Sequence, residues 1–403
     1  MALIVQKFGG SSVADADRVR HVAGIIAETV RAGNEVIVVL SAQGDTTDHL
    51  LAKAAEYNPK PSKRELDMLL ATGEQASVAL MAMCLDTLGV ASVSLAGWQI
   101  GMRTNSDYNA ARIREIKCER IKKELDRGRV VLVAGFQGIN KYDDITTLGR
   151  GGSDTTAVAI AVGVHADKCQ IFTDVDGIYT ADPRKVKNAR KLEEITYDEM
   201  LELATLGAQV LHNRSVQMAK KYSVRLEVLS SFTGNPGTIV KEVVKMERTK
   251  ISGIAKDTEI ARIAILGLAD QPGVAFKVFH LLSKAKINVD IILQSIGRNN
   301  RKDISFTVKK SDWEEAKAIL DEYQDSLEFD HIDVHTDVAK VSIVGTGMIS
   351  TPGVAALMFE ALYDAKVNIS MISTSEIKVS VLVDADEADR AISAIHDKFF
   401  GDE

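Results

Sequence analysis

Only three cysteines occur in the 403 residues, Cys84, Cys118 and Cys169, and none belongs to a CxxC pair. That scarcity excludes a readable disulfide framework or zinc site and fits a reducing compartment. Cys169 lies in an apolar run and reads as a core residue rather than a nucleophile. No unbroken run of about 18 apolar residues is present to span a bilayer, and the opening MALIVQKFGG lacks the charged-then-apolar layout of a signal peptide. A cytoplasmic protein with no membrane partner is expected. Positive charge is not in excess either: the net charge of −7 leaves no basic face for nucleic acid. The chain has no GxxxxGK[ST] loop, no HRD or DFG set and no GxGxxG, which excludes the P-loop, protein-kinase and dinucleotide classes.

What is present is ordinary globular material, 46% hydrophobic and 26% charged, in a length that suggests two to four domains. Over the first 240 residues short β-rich runs alternate with helical stretches. Strands are expected at Leu3–Phe8, Glu35–Leu40, Val90–Leu95, Val130–Ala134, Lys168–Thr173 and Arg225–Ser230. Helices are expected at Asp17–Ala32, Ser62–Gly89, Ser153–Val162, Tyr197–Leu206 and Asn213–Tyr222, the second opening on the capping-box pattern Ser62-Lys63-Arg64-Glu65. Continuous apolar strands separated by helices imply an α/β domain over 1–240, a mostly parallel sheet sandwiched by helices, with ligands beyond the strands' carboxyl ends.

The charged stretch KEVVKMERTK (Lys241–Lys250) breaks this rhythm, and 241–260 reads as a linker. An internal repeat follows. Pro272-Gly273-Val274-Ala275 recurs 80 residues later as Pro352-Gly353-Val354-Ala355, and Phe279, Leu282, Asn288 and Ser295 match Phe359, Leu362, Asn368 and Ser375. Each copy reads as a βαββα module of about 75 residues, at 261–338 and 339–403. Duplicated modules of this size tend to pair their sheets and place small-molecule sites at the joint.

Chemistry concentrates in loops after strands. Lys7-Phe8-Gly9-Gly10-Ser11-Ser12 combines glycines that let backbone amides approach a ligand with a lysine that can neutralise phosphate; a tight strand-to-helix turn is the plainer reading. Gly149-Arg150-Gly151-Gly152-Ser153-Asp154-Thr155-Thr156 opens a helix, where amides, the helix dipole and a guanidinium make an anion site. Ser153 or Asp154 could be no more than N-caps, which leaves Arg150 unexplained. Thr173–Arg184 is a long loop with an aromatic and an arginine able to clasp a nucleotide, and Ser41–Thr47 adds a polar loop on the same edge. Glycine loops at helix starts with a lysine, an arginine and acidic residues point to phosphoryl transfer, which works by positioning and charge neutralisation.

These stretches, KFGGSS (7–12), GDTTD (44–48), TGE (72–74), LGRGGSDTTA (148–157) and TDVDGIYTADPR (173–184), resemble the motifs of the aspartate kinases of the amino-acid-kinase superfamily, over essentially the whole chain. The tandem modules resemble paired ACT domains, of ferredoxin-like fold. The resemblance implies ATP-dependent phosphorylation of the side-chain carboxylate of L-aspartate, the entry to lysine, threonine and methionine synthesis. It implies that Lys7 neutralises the transferring phosphoryl group, that Asp154 orients Lys7, and that Gly9, Gly10 and Ser11 line the phosphate path. Thr47, Glu74, Arg150 and Ser153 would hold aspartate, Glu74 by its ammonium and Arg150 by a carboxylate. Ser41, Thr173, Asp174, Tyr179, Asp182 and Arg184 would line the nucleotide site. Mg²⁺ would come bound to the ATP phosphates, with no protein metal site. Gln43 stands where many relatives carry Met, and Gln209 where some carry a nucleotide-side lysine.

The resemblance also implies lysine and/or threonine as effectors, at sites drawn from Asp270, Pro272, Gly273, Val274, Ala275, Asn288, Gln294, Pro352, Gly353, Val354, Asn368 and Thr374. The 80-residue offset sets Asp270 against Ser350, Asp290 against Ser370 and Gln294 against Thr374, so the two copies are expected not to bind one effector equivalently. ACT pairing implies a homo-oligomer, and Met246 lies near the point where related enzymes start a separate small subunit. Two alternatives stand beside this reading, an inactive ACT sensor and a kinase of another free amino acid. The intact Lys7, Glu74, Arg150 and Asp154 speak against the first. Glu74, which needs a free ammonium, limits the second.

Overall fold

A computed structural model describes residues 1–206, 210–243, 251–349 and 351–401. They form two compact units. One comprises Met1–Tyr179, Lys191–Thr205 and residues 210–243; the other comprises Thr180–Arg190, Leu206 and the described residues from 251 onward.

The first unit begins with β1 (Leu3–Phe8), α1 (Ala16–Arg31), β2 (Glu35–Leu40), α2 (Thr46–Tyr57), α3 (Lys63–Thr87) and β3 (Ser92–Leu95). Then come β4 (Met102–Thr104), β5 (Ile113–Ile116), α4 (Glu119–Leu125), β6 (Val130–Ala134), β7 (Gln137–Ile139), β8 (Ile145–Thr147) and α5 (Gly152–Val164). It closes with β9 (Lys168–Thr173), β10 (Glu194–Thr196), α6 (Tyr197–Thr205), α7 (Asn213–Lys221), β11 (Leu226–Ser230) and β12 (Thr238–Lys241). The main sheet has the order β10-β12-β11-β9-β1-β2-β6-β3 and is parallel except for β11 against β12. Its central strands are buried on both faces, as their apolar runs require: five of the six residues of β2 are buried. The chain leaves β1 for β2 on one side and returns to β9 on the other, so a crevice opens at the carboxyl end of β1.

Asp15 caps α1 by accepting from the Arg18 N–H, and Val19, Val22, Ala23, Ile26 and Ala27 form its buried stripe at 3–4 residue spacing. Ser62 caps α3 through the Glu65 N–H, as its capping-box sequence predicts. α3 is long and apolar enough in composition to cross a membrane. It buries Leu70, Val78 and Met81 together with Asp67 and Glu74, which makes it a core helix of this unit. Two features differ from expectation. The polar loop after β2 turns at Gln43-Gly44 straight into α2, and a small sheet β5-β4-β7-β8 exists that went unforeseen. Its strands are three or four residues long, too short for alternation to register.

The second unit contains β13 (Gly253–Asp257), β14 (Ile260–Ala269), α8 (Val274–Lys284), β15 (Val289–Gln294) and β16 (Arg301–Lys309). It continues with α9 (Trp313–Glu322), α10 (Gln324–Leu327), β17 (His331–His335), β18 (Val338–Val344) and α11 (Val354–Asp364), then β19 (Met371–Thr374), β20 (Lys378–Asp384) and α12 (Ala388–Phe400). The repeat is visible as two antiparallel sheets of matching order, β15-β16-β14-β17 and β19-β20-β18-β13. The fourth strand of each lies outside the βαββα pattern. In the first module it is β17, after the last helix; in the second it is β13, which precedes the whole first module. The linker expected at 241–260 therefore ends earlier. Residues 244–250 lie outside the described residues, and Gly253–Asp257 pairs antiparallel with Gly253 opposite Val344. The charge of KEVVKMERTK masked the short strand that follows it.

Candidate functional site

A cleft of about 560 Å³ opens at the carboxyl end of β1 and β2. It gathers nine of the residues singled out from the sequence: Lys7, Gly9, Gly10, Ser41, Thr47, Glu74, Arg150, Ser153 and Asp154. Each arrives on a different local device. Lys7 is the penultimate residue of β1, in register with Val39 of β2 and Ile171 of β9. Asp154 lies in the first turn of α5, where the helix dipole favours its charge. Their Nζ and Oδ1 stand 2.7 Å apart with both side chains largely buried. The N-cap of α5 is Gly151, so neither Ser153 nor Asp154 is spent as a cap.

Glu74 enters from α3. A Cβ on Gly73 would come within 2.8 Å of the Ala42 side chain, so glycine is what lets the helix pass close enough for Glu74 Oε1 to accept from the Ala42 N–H at 3.2 Å. The other oxygen, Oε2, is buried and has no partner. Burial pushes this carboxyl up to about 7, against the smaller opposing effect of the backbone hydrogen bonds. An unpartnered, desolvated carboxylate oxygen is a receptor for a cation. The exposed Arg150, which also lines the cleft, offers the opposite charge. Lys7, Glu74 and Arg150, all on the cleft lining, supply the charges to hold a zwitterion that carries a further carboxylate beside a polyphosphate.

The loops of the cleft are tied to each other. Gln43 donates through Nε2 to the Val13 carbonyl at 2.8 Å, linking the loops after β1 and β2. The Phe136 N–H donates to Thr156 Oγ1 at 3.1 Å, which fixes the turn before β7 on α5. Residues that sequence reasoning missed also line the cleft, among them Asn109, Phe136, Thr147 and the apolar wall of Leu51, Leu66 and Leu70. None of these sits in a glycine-rich motif. Phe136 alone carried a local sign, its position just after Gly135, which follows β6.

Ser11, Thr173, Asp174, Tyr179, Asp182 and Arg184 lie outside the cleft lining. Thr173 and Asp174 stand at the end of β9, beside β1, with Thr173 Oγ1 3.0 Å from Asp174 Oδ1. The Tyr179 hydroxyl donates to Asp176 at 2.7 Å, which raises its own pKa to about 12. Asp182 and Arg184 form an ion pair with each other at 2.9 Å. They belong to Thr180–Arg190, which is part of the second unit, where Ala181 and Val186 are buried with Ile254, Val341 and Met358. Ala181 and Val186, apolar residues on either side of Asp182–Arg184, anchor the segment there.

In the repeated modules Val274 and Val354 are buried at the starts of α8 and α11, while Asn288, Gln294, Asn368 and Thr374 are exposed. Asp270 is engaged by Lys302 at 3.1 Å. Asp290 pairs with the buried ammonium of Lys340 and so already has a cation. Ser350 and Gln209 lie outside the described residues.

Comparison with known proteins adds kinship. Residues 2–230 match the amino acid kinase family, and residues 263–324 and 341–399 match an ACT domain. An aspartokinase of Bacillus sp. (strain MGA3) is 49% identical over 400 residues, covering 99% of this chain and 97% of that protein. Aspartokinase 2 of Bacillus subtilis is likewise 49% identical over 400 residues, with 99% and 98% covered. Among solved structures, E. coli aspartokinase III in complex with aspartate and ADP aligns with a TM-score of 0.84 at 26% identity, covering 99% of this chain and all of that one. The same enzyme in complex with lysine and aspartate aligns with a TM-score of 0.76 at 26% identity, covering 99% of each chain.

Proposed function

The chain belongs to the amino acid kinase family and, within it, to the aspartokinases, and on that footing we propose that it transfers the γ-phosphoryl group of ATP to the side-chain carboxylate of L-aspartate, giving 4-phospho-L-aspartate and ADP. The observation that carries the reading is one cleft holding the Lys7–Asp154 pair and the unpartnered Oε2 of Glu74. Glu74 receives the substrate's ammonium and Arg150 a carboxylate, with Thr47 and Ser153 alongside. Lys7, held by Asp154, neutralises charge on the transferring group, and the amides of Gly9 and Gly10 face the phosphates. The bond from γ-phosphorus to the bridging oxygen breaks as the bond to the carboxylate oxygen forms. That carboxylate is ionised at neutral pH, so no general base is required. Mg²⁺ carried on the nucleotide supplies further charge neutralisation; among the described residues no group of three or more His, Cys, Asp or Glu is placed to hold it alone. The end of β9 with Thr173 and Asp174 is the nucleotide side.

The ACT modules make lysine and/or threonine the proposed effectors, in keeping with the structure of the E. coli enzyme in complex with lysine and aspartate. Exposed apolar residues Ile292, Leu293 and Ile296 on and after β15 suit pairing of ACT sheets between chains. The reaction is placed in the cytoplasm at the first step toward lysine, threonine and methionine. The test is ADP release from Mg-ATP with L-aspartate, against glutamate and N-acetylglutamate, with and without lysine and threonine. Turnover with aspartate alone, suppressed by an effector, is expected. Equal turnover with glutamate would refute the substrate, and turnover indifferent to both effectors would refute the regulators.

A further inference from the structure

Asp67 has no accessible surface, yet it is a carboxylate on the buried face of α3, with Leu70 and Ala71 next along that face. A buried charge of this kind is tolerated only when its lone pairs are filled. Here they are: the Asn109 N–H donates to both oxygens at 3.1 and 3.0 Å, the Thr147 N–H donates at 2.9 Å, and the Thr147 hydroxyl donates at 2.6 Å. Burial still raises its pKa above the usual carboxylate range.

What those bonds join is informative. Asn109 belongs to the loop between β4 and β5, and Thr147 ends β8; both line the cleft. Asn109 is held with a positive φ of 65°, and its carbonyl lies so close to Gly149 that a Cβ there would approach it to 2.9 Å. Gly149 itself has φ +77°, a conformation that suits glycine, and Arg150 follows it. From the other side, Arg214 donates to the carbonyls of Leu148 at 2.6 Å and Ala111 at 2.9 Å, bracing the same two loops. Asp67 and Glu74 are seven residues apart on α3, two turns along one helix face.

We propose that Asp67 is a positioning residue for the amino-acid substrate: it fastens the loops that carry Asn109, Thr147 and Arg150 to the helix that carries Glu74. The spacing between the ammonium receptor and the carboxylate receptor is thereby set by one buried side chain. This rests on the substrate reading above. An apolar side chain at that position would leave the Asn109 and Thr147 N–H groups without this acceptor, so positioning is separated from stability by the substrate kinetics.

The test uses the full chain with Asp67→Asn, which turns one accepting oxygen into a donor facing backbone N–H groups. kcat/KM for L-aspartate is expected to fall about 10- to 100-fold, as a misplacement of roughly 1 Å does, while KM for ATP stays within about twofold. Thr147→Val removes one of the four bonds and is expected to show a smaller loss of the same kind, which Thr147→Ser restores. Should Asp67→Asn fail to fold, the Thr147 pair decides on the same criterion. Unchanged aspartate kinetics, or losses for aspartate and ATP in parallel with a lowered Tm, would overturn the proposal. Wild-type protein that does not turn over aspartate would overturn the substrate reading and this inference together; a missing split in an active enzyme overturns only the inference.

Discussion

Lowering the pH from 8 to 6 is expected to cut kcat/KM for L-aspartate about tenfold, because Glu74 must be ionised to receive the ammonium. Its carboxyl titrates at about 7 in the free protein, since burial disfavours the charge and the Ala42 N–H only partly compensates. With that pKa the ionised fraction is roughly 0.9 at pH 8 and roughly 0.1 at pH 6, and kcat/KM follows the free enzyme's ionisation. Aspartate's own groups do not titrate in this window, so the change belongs to the protein. The loss should fall mainly on KM, because bound ammonium holds Glu74 ionised once the complex has formed. The assay is initial-rate ADP release at saturating Mg-ATP, with KM for ATP checked at each pH. Glu74→Gln is expected to be weaker by about 10- to 100-fold, the worth of a hydrogen bond to a charged group, and flat over the same range. A flat wild-type profile, or an equal slope in Glu74→Gln, would refute the reasoning.

The same carboxyl makes stability depend on pH. Folded protein holds the Glu74 proton up to about 7, whereas unfolded chain releases it near the ordinary value of 4.5. The folded state therefore binds more protons between these values, and stability falls as pH rises through them, by about 3 kcal/mol in total; urea midpoints at pH 5 and pH 8 should show this slope in wild type and not in Glu74→Gln. Lys7→Ala should lower kcat by about 100- to 1,000-fold, as loss of a charge-stabilising donor does, and should lower Tm as well, because the largely buried Asp154 carboxylate loses its ammonium; a kcat within tenfold of wild type would remove Lys7 from the chemistry. Asp290→Asn leaves the buried Lys340 ammonium with only Asp257 at 3.8 Å, and thermal denaturation should register a loss of about 1–3 kcal/mol, less than for a fully buried pair because Asp290 is partly exposed. Val186→Ala removes buried methyl groups from the core of the second unit, and thermal denaturation should register a loss of about 1–3 kcal/mol; an unchanged Tm would count against its burial there.

Much of this molecule was legible in local patterns. β2 with its run EVIVVL, α1 with its apolar stripe, the Ser62 cap of α3 and the 80-residue repeat all follow from periodicity and turn chemistry, which act between near neighbours. So did Lys7, Gly9, Gly10, Arg150 and Asp154, because a phosphate or carboxylate site leaves glycine and charge at strand ends and helix starts. Glu74 was found by kinship of motif, since on a helix its residue type alone is commonplace. Other features were invisible for one reason: they depend on residues far apart in the chain becoming neighbours. Asp67 meets Thr147 across 80 positions. β13 completes a sheet whose other strands begin 85 residues later, and Val186 shares with Met358 a core that its basic, polar surroundings concealed. The pKa of Glu74 belongs to the same class. The sequence supplies a carboxylate, but its desolvation, and so its readiness for a cation at neutral pH, exists only once α3 packs against the loop at Ala42.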